Sequence, residues 1–197
     1  MRLFIVGSAA ALFAGSAFGT VLNGSFESAA LPAPDRADIS NLTDWGVTGG
    51  NTVLLERGVN GVSNIAAHDG VQFVTMGHNS GQGETLTQFL STTPGQTYTA
   101  TFYLACIQGN ALQSVRMAVS DGANDLGSVV GTVSSQTEGW VPFSFDFVAN
   151  GLTARLTLMQ MVGASEANVA IDDVSVVPAP GSALALLGLL AARRGRR

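Results

Sequence analysis

Lysine is absent from this chain, and cysteine occurs once, as Cys106. A single thiol excludes an intramolecular disulfide, and Cys106, set in the apolar run Tyr98–Cys106, reads as a small buried hydrophobe. Histidine occurs only as His68 and His78, both in or beside Gly-rich turns, so no His-x-x-x-His or Cys/His set marks zinc. There is no Gly-x-Ser-x-Gly elbow and no phosphate-cradling glycine loop. With 14 acidic residues, some carboxylate pair always lies at a tempting separation, which is no argument for glycoside hydrolysis. The residues therefore point to a protein that is not an enzyme.

Positive charge is scarce as well. Residues 20–180 hold all 14 acids against four arginines (Arg36, Arg57, Arg116 and Arg155), a net charge of −10. A body of that sign lacks the basic footprint that nucleic acid or an anionic membrane surface requires. Also missing are an internal repeat, a low-complexity tract and any sustained helical period. The length of this body suits one core and is short for two domains.

The two ends are of a different kind. Met1-Arg2 is a short positive region, Leu3–Ala14 an apolar run, and Ala17-Phe18-Gly19 places small side chains before a cut at Thr20. This is the three-part pattern of a secretory signal over residues 1–19. At the other end, Pro178-Ala179-Pro180 leads into the apolar stretch Gly181–Ala192 and then Arg193-Arg194-Gly195-Arg196-Arg197. That stretch is shorter than the roughly 20 residues a spanning helix needs. It reads as a short apolar helix in transient membrane contact, with its arginines retained on the cytoplasmic side.

Between the ends, apolar residues alternate in short runs. Tyr98, Ala100, Phe102 and Leu104 oppose Thr97, Thr99, Thr101 and Tyr103, and Phe143, Phe145 and Phe147 oppose Ser144, Asp146 and Val148. Further strands are expected at Val21–Phe26, Thr52–Glu56, Gln72–Met76, Thr85–Leu90, Val115–Val119, Ser128–Val133, Arg155–Met161 and Val169–Val177. Turn residues separate them at Asp69-Gly70, Pro94-Gly95, Asp121-Gly122, Glu138-Gly139 and Asn150-Gly151. Leu31–Asp38 reads as a surface loop, and Asn150-Gly151 as the clearest hairpin. About ten strands in one domain predict an all-β antiparallel sandwich of jelly-roll topology over residues 20–177, followed by the terminal segment 178–197.

Two resemblances follow from these residues. Pro178-Ala179-Pro180, the short Leu/Ala/Gly run and the arginines Arg193, Arg194, Arg196 and Arg197 resemble PEP-CTERM sorting signals of bacterial exported proteins. Ala179 stands where an acidic residue is usual. The resemblance implies processing by an exosortase-type enzyme, then placement at the cell surface or in the extracellular matrix, often alongside polysaccharide. Asn23-Gly-Ser-Phe-Glu27, Leu42-Thr-Asp-Trp45, His68-Asp-Gly70, Pro94-Gly95-Gln-Thr-Tyr98, Trp140 and Ile171-Asp-Asp-Val174, in that order, resemble galactose-binding-like jelly rolls. That group includes carbohydrate-binding modules and a domain of unknown function shared by plant cell-wall and bacterial exported proteins. It implies a sandwich of eight or more strands, a structural calcium ion and sugar binding.

A calcium ion wants six to eight oxygens. Glu27 at the end of the first expected strand, Asp172 and Asp173 in the last, and Asp69 in a turn would converge if the terminal strands are neighbours. Adjacent aspartates in a strand face opposite ways unless a bulge redirects one. The equal alternative is that these acids are exposed or cap turns. For sugar, Tyr103 is the expected aromatic platform, with Arg57, Asn79, Gln82 and Gln108 as hydrogen-bonding partners; Trp45 and Trp140 read as packing. The expected function is an exported, non-catalytic module on extracellular or cell-wall polysaccharide. The alternative is a matrix or envelope protein that acts through protein–protein assembly.

Overall fold

The computed structural model describes residues 21–28, 31, 36–49, 53–57, 65–77, 83–107, 112–134, 139–162 and 169–179. The expected signal segment 1–19, Pro180, and the apolar stretch with Arg193, Arg194, Arg196 and Arg197 lie outside these residues. The strands run β1 (Arg36–Ile39), β2 (Gly46–Thr48), β3 (Val53–Arg57), β4 (Gln72–Met76), β5 (Thr85–Ser91), β6 (Thr97–Cys106), β7 (Gln113–Ser120), β8 (Asp125–Val133), β9 (Val141–Val148), β10 (Thr153–Val162) and β11 (Val169–Pro178). No helix occurs among the described residues. The strands form a six-stranded sheet, β1-β3-β4-β11-β6-β9, and a five-stranded sheet, β2-β5-β10-β7-β8. Every pairing is antiparallel. The chain is an all-β sandwich, as the alternation predicts.

The core forms where the inner faces meet. Tyr98, Ala100, Phe102 and Leu104 of β6 are buried, whereas Thr97, Thr99, Thr101 and Tyr103 are half-buried. Opposite them lie Leu86 and Leu90 of β5, Val115, Met117 and Val119 of β7, and Leu156 and Leu158 of β10. Burying one such side chain as large as Phe102 contributes about 1.5–3 kcal/mol. A strand that must serve this core has its register chosen by it, because a slip of one residue would turn every apolar group outward.

Three expectations need correction. Val21–Phe26 is a turn, not a strand: Asn23 and Phe26 hold φ of 51° and 58°, and the Phe26 amide bonds back to Asn23 O at 3.2 Å. The turn drops the Phe26 ring into the core against Trp45, with ring centroids 5.7 Å apart. The stretch read as the loop Leu31–Asp38 contains the start of β1, which pairs with β3 through Arg36↔Glu56 and Ile39↔Val53. Asn150-Gly151 closes no hairpin, because β9 belongs to the six-stranded sheet and β10 to the five-stranded one. It is the crossing between layers, tied down by Thr92, whose amide donates to Leu152 O and whose hydroxyl donates to Gly151 O.

One irregularity shapes the surface of the six-stranded sheet. The β11–β6 register shifts between Asp172 and Ser175, where Asp173 adopts φ 47°. The Val174 amide leaves the ladder to bond Gly24 O at 2.9 Å, which brings the N-terminal segment alongside β11. The bulge turns Asp173 to the same side as Asp172 while Val174 and Val176 stay in the core.

Candidate functional site

On the outer face of the six-stranded sheet, Phe73 of β4, Ala105 of β6 and Ala170 of β11 form a small second apolar cluster, covered by Ile65, Ala67, Ile107 and Trp140. The cover is held by two carboxylates from opposite ends of the chain. Asp172 Oδ2 accepts the amides of His68 (2.8 Å) and Asp69 (3.0 Å), and its Oδ1 accepts that of Asp173. Glu27 Oε1 accepts the amides of Val71 (2.7 Å) and Gln72 (2.8 Å). Between them, Gly70 turns with φ 72°, and a Cβ there would run into the Glu27 carboxylate. Asp172 is fully buried. Its burial pushes the carboxyl up to about 7, and the three amides pull it down less than burial raises it.

This clasp sets His68 over Tyr103, with ring centroids 3.6 Å apart and planes 22° from parallel. His68 Nδ1 also lies 3.3 Å from Asp173 Oδ2. Trp140 meets Phe73 edge-on at 5.5 Å and donates its indole N–H to Ala66 O at 2.9 Å. The face of Tyr103 under the imidazole is therefore covered, and Tyr103 is not the open platform its threonine neighbours predict. Its strand position left it facing outward as expected, but the segment 65–70, distant in sequence, lies on top.

Of the four carboxylates named for calcium, three already have partners within the chain. Asp172 and Glu27 face backbone N–H groups, whose positive ends take up the directions a hard cation would need, and Asp173 faces the imidazole. Among the described residues, no group of three or more His, Cys, Asp or Glu side chains has metal-holding geometry. The acids do converge on the segment 68–72, which contains Asp69: Glu27 and Asp172 cap its amides, and Asp173 meets the His68 ring. Of the other expected contacts, Arg57 ends β3 opposite Gln72. Asn79, Gln82 and Gln108 lie outside the described residues. Pro178 ends β11, paired with Tyr98, and the Ala179 amide just beyond it donates to Thr97 O.

The opposite surface carries what the sequence reading missed. Cross-strand partners share a face, so the outer face of the five-stranded sheet can be read from its register. Phe89 stands opposite Arg155, and Arg155 opposite Ser120. The next row is Thr87, Thr157, Ala118 and Ser128, and the one after it Thr85, Met159, Arg116 and Val130. Phe89 is 77% exposed, and among the described residues it is the one strongly exposed aromatic ring. Arg116 is committed, bonding Asp125 and, at 3.1 Å, Ser128 Oγ. Arg155 is exposed, and among the described residues no carboxylate lies within ion-pair distance of it. The signal was available: Thr85, Thr87 and Phe89 alternate with Leu86, Gln88 and Leu90, so residue 89 falls on the polar side of its strand.

Residues 19–177 match the sequence profile of a family described as a protein of unknown function (DUF642). No curated protein matches the chain. Among solved structures, the chain is similar to TmCBM61 in complex with β-1,4-galactotriose, at 19% identity and TM-score 0.61, over 81% of this chain and 99% of that one. It is similar to the CBM22-1 xylan-binding domain of Paenibacillus barcinonensis Xyn10C, at 15% identity and TM-score 0.54, over 84% and 97%. It is also similar to a cyclase from Fischerella sp. TAU in complex with 4-(1H-indol-3-yl)butan-2-one, at 17% identity and TM-score 0.63, over 81% and 96%. At these identities the likeness is one of fold, the jelly-roll sandwich of carbohydrate-binding modules.

Proposed function

The chain belongs to the DUF642 family, and from that premise we propose that it is an exported, non-catalytic module that binds extracellular or cell-wall polysaccharide on the outer face of its five-stranded sheet. The observation that carries the reading is Phe89, a ring 77% exposed in mid-strand, bordered by threonine, serine and arginine, with Ala118, Met159 and Val130 farther along the same face. A ring so exposed in mid-strand offers its face to a ligand laid across the sheet. A sugar ring, with C–H groups on one face and hydroxyls at its rim, suits an aromatic ring bordered by hydroxyl and guanidinium groups. Thr87, Thr157 and Ser120 surround Phe89 and Arg155 in the register. An open sheet face suits a chain laid across strands.

The fold shared with the galactotriose-bound and xylan-binding modules supports this class of ligand. Asp172, whose carboxyl burial raises to about 7, is fully buried and occupied by three amides, which fits a latch better than a catalytic acid. Export and surface sorting rest on the sequence of the two ends: the secretory pattern of residues 1–19, and the PEP-CTERM-like segment 178–197 with its exosortase-type partner and transient membrane contact.

The test is a polysaccharide panel probed with wild type and Phe89→Ala. Binding to at least one polymer, weakened about tenfold or more by the substitution at unchanged thermal stability, is the expected result. Self-association that Phe89→Ala abolishes, with no polymer bound, would replace this reading with the assembly role.

A further inference from the structure

We infer that the polysaccharide taken by this face carries carboxylates, and that Arg155 holds the carboxylate of the sugar stacked on Phe89. The inference rests on the glycan-binding reading and names its substrate class.

Phe89 and Arg155 are directly opposed residues of β5 and β10, so their side chains leave the sheet side by side on the same face. A ligand group seated on the Phe89 ring is therefore within reach of the guanidinium. Arg155 has no acid to answer it among the described residues, whereas Arg116, two rows along the same face, is taken by Asp125 and Ser128. An exposed arginine beside an exposed aromatic ring offers two things at once: an apolar plate, and a planar fork of N–H donors matched to a carboxylate. Ser120, on the far side of Arg155, adds a hydroxyl in line with the pair.

The acidic body raises an obvious objection, which the distribution of charge answers. Glu27, Asp69, Asp172 and Asp173 gather round the clasp on the six-stranded sheet, and Asp146 lies on that sheet too, accepting from Thr99 Oγ1 at 2.7 Å. Both arginines whose side chains are described stand on the other face. Asp121, at the end of β7, is bound to the amides of Ala123 and Asn124 and to Asn150. Charges farther off than about 8 Å are largely screened at physiological ionic strength. Asp125, opposite Ser120 in the same row, is paired with Arg116, so a carboxylate at Arg155 meets a local cation of its own.

The experiment compares binding of the full chain to polygalacturonate and to the same polymer after reduction of its carboxyls, for wild type, Arg155→Gln and Phe89→Ala. Both positions are exposed, so folding is checked simply by the melting curve. Expected are at least about tenfold tighter binding to the carboxylated polymer, loss of that preference in Arg155→Gln with binding to the reduced polymer held within about twofold, and weaker binding to both polymers in Phe89→Ala. Equal affinity of wild type for the two polymers, or an Arg155→Gln variant that keeps the preference, would overturn the carboxylate while leaving a neutral glycan reading intact. Failure of well-folded wild type to bind either polymer or any member of the wider panel would overturn both.

Discussion

Asp172 should make this protein less stable as the pH rises. Its carboxyl is pushed from an ordinary 3.8 up to about 7 by burial. Between those values the unfolded chain has released its proton while the native protein still holds one. Stability therefore falls with pH in that window, in full at low pH and lost as the native group ionises near 7. A shift of about three pH units corresponds to at most roughly 4 kcal/mol. Other carboxylates titrate in the same range with opposite sign, so the quantity to measure is a difference. Urea unfolding of wild type and Asp172→Asn from pH 4 to pH 8 isolates the one group. Asparagine can still accept the amides of His68 and Asp69 through its oxygen, but its NH₂ group would meet the Asp173 amide that Oδ1 now accepts. The substitution thus costs a nearly constant amount, on which the titration is superimposed. The stability of wild type relative to the variant should fall by a few kcal/mol across the range. A difference that rises with pH would show that the three amides outweigh desolvation, and the account of the clasp would be wrong in its electrostatics.

Other perturbations probe the same framework. Gly70→Ala forces a side chain into φ 72° and against Glu27; a loss of about 1–3 kcal/mol is expected in chemical denaturation. Glu27→Ala leaves the amides of Val71 and Gln72 without their acceptor and should lower stability by about 2 kcal/mol, roughly 4–8 °C in melting temperature for a chain of this size. Because the carboxylates serve as turn caps, added calcium or chelator should leave the melting temperature of wild type unchanged; a calcium-dependent rise that Glu27→Ala abolishes would restore the ion. Gln88→Ala removes a buried amide that bonds Leu22 at both N and O and Asp44 at O. It should destabilise by about 2–4 kcal/mol and expose the N-terminal segment to protease first.

The strands were legible because each half-buried strand must alternate, and threonine–apolar alternation in β5 and β6 leaves no other pattern. β1 and β2 were not, since three or four residues carry too little periodicity to stand out from a loop. The turn at Asn150-Gly151 was legible as a reversal of the chain. Which sheet received the next strand was not, because turn chemistry acts over four residues and layer choice over the whole core. The acids of the clasp were named as a converging set on the strength of their order in the chain. Which of the two roles open to them they take, cation ligand or turn cap, is not written in the sequence, because it depends on backbone groups that lie 44 to 104 positions away.

What the sequence determined by itself was a two-faced all-β body, its inward residues, its acidity and the contrasting character of its ends, since all of these follow from composition and short-range period. What only the tertiary structure decided was exposure. Tyr103 and Phe89 both lie on outward positions of their strands, and nothing within either strand distinguishes them. His68 is laid over Tyr103 by amides bonded to Asp172, a residue from the opposite end of the chain, while no described segment crosses the five-stranded sheet at Phe89. Whether an outward ring is covered is a property of segments remote in sequence, and only the packed chain brings them to it.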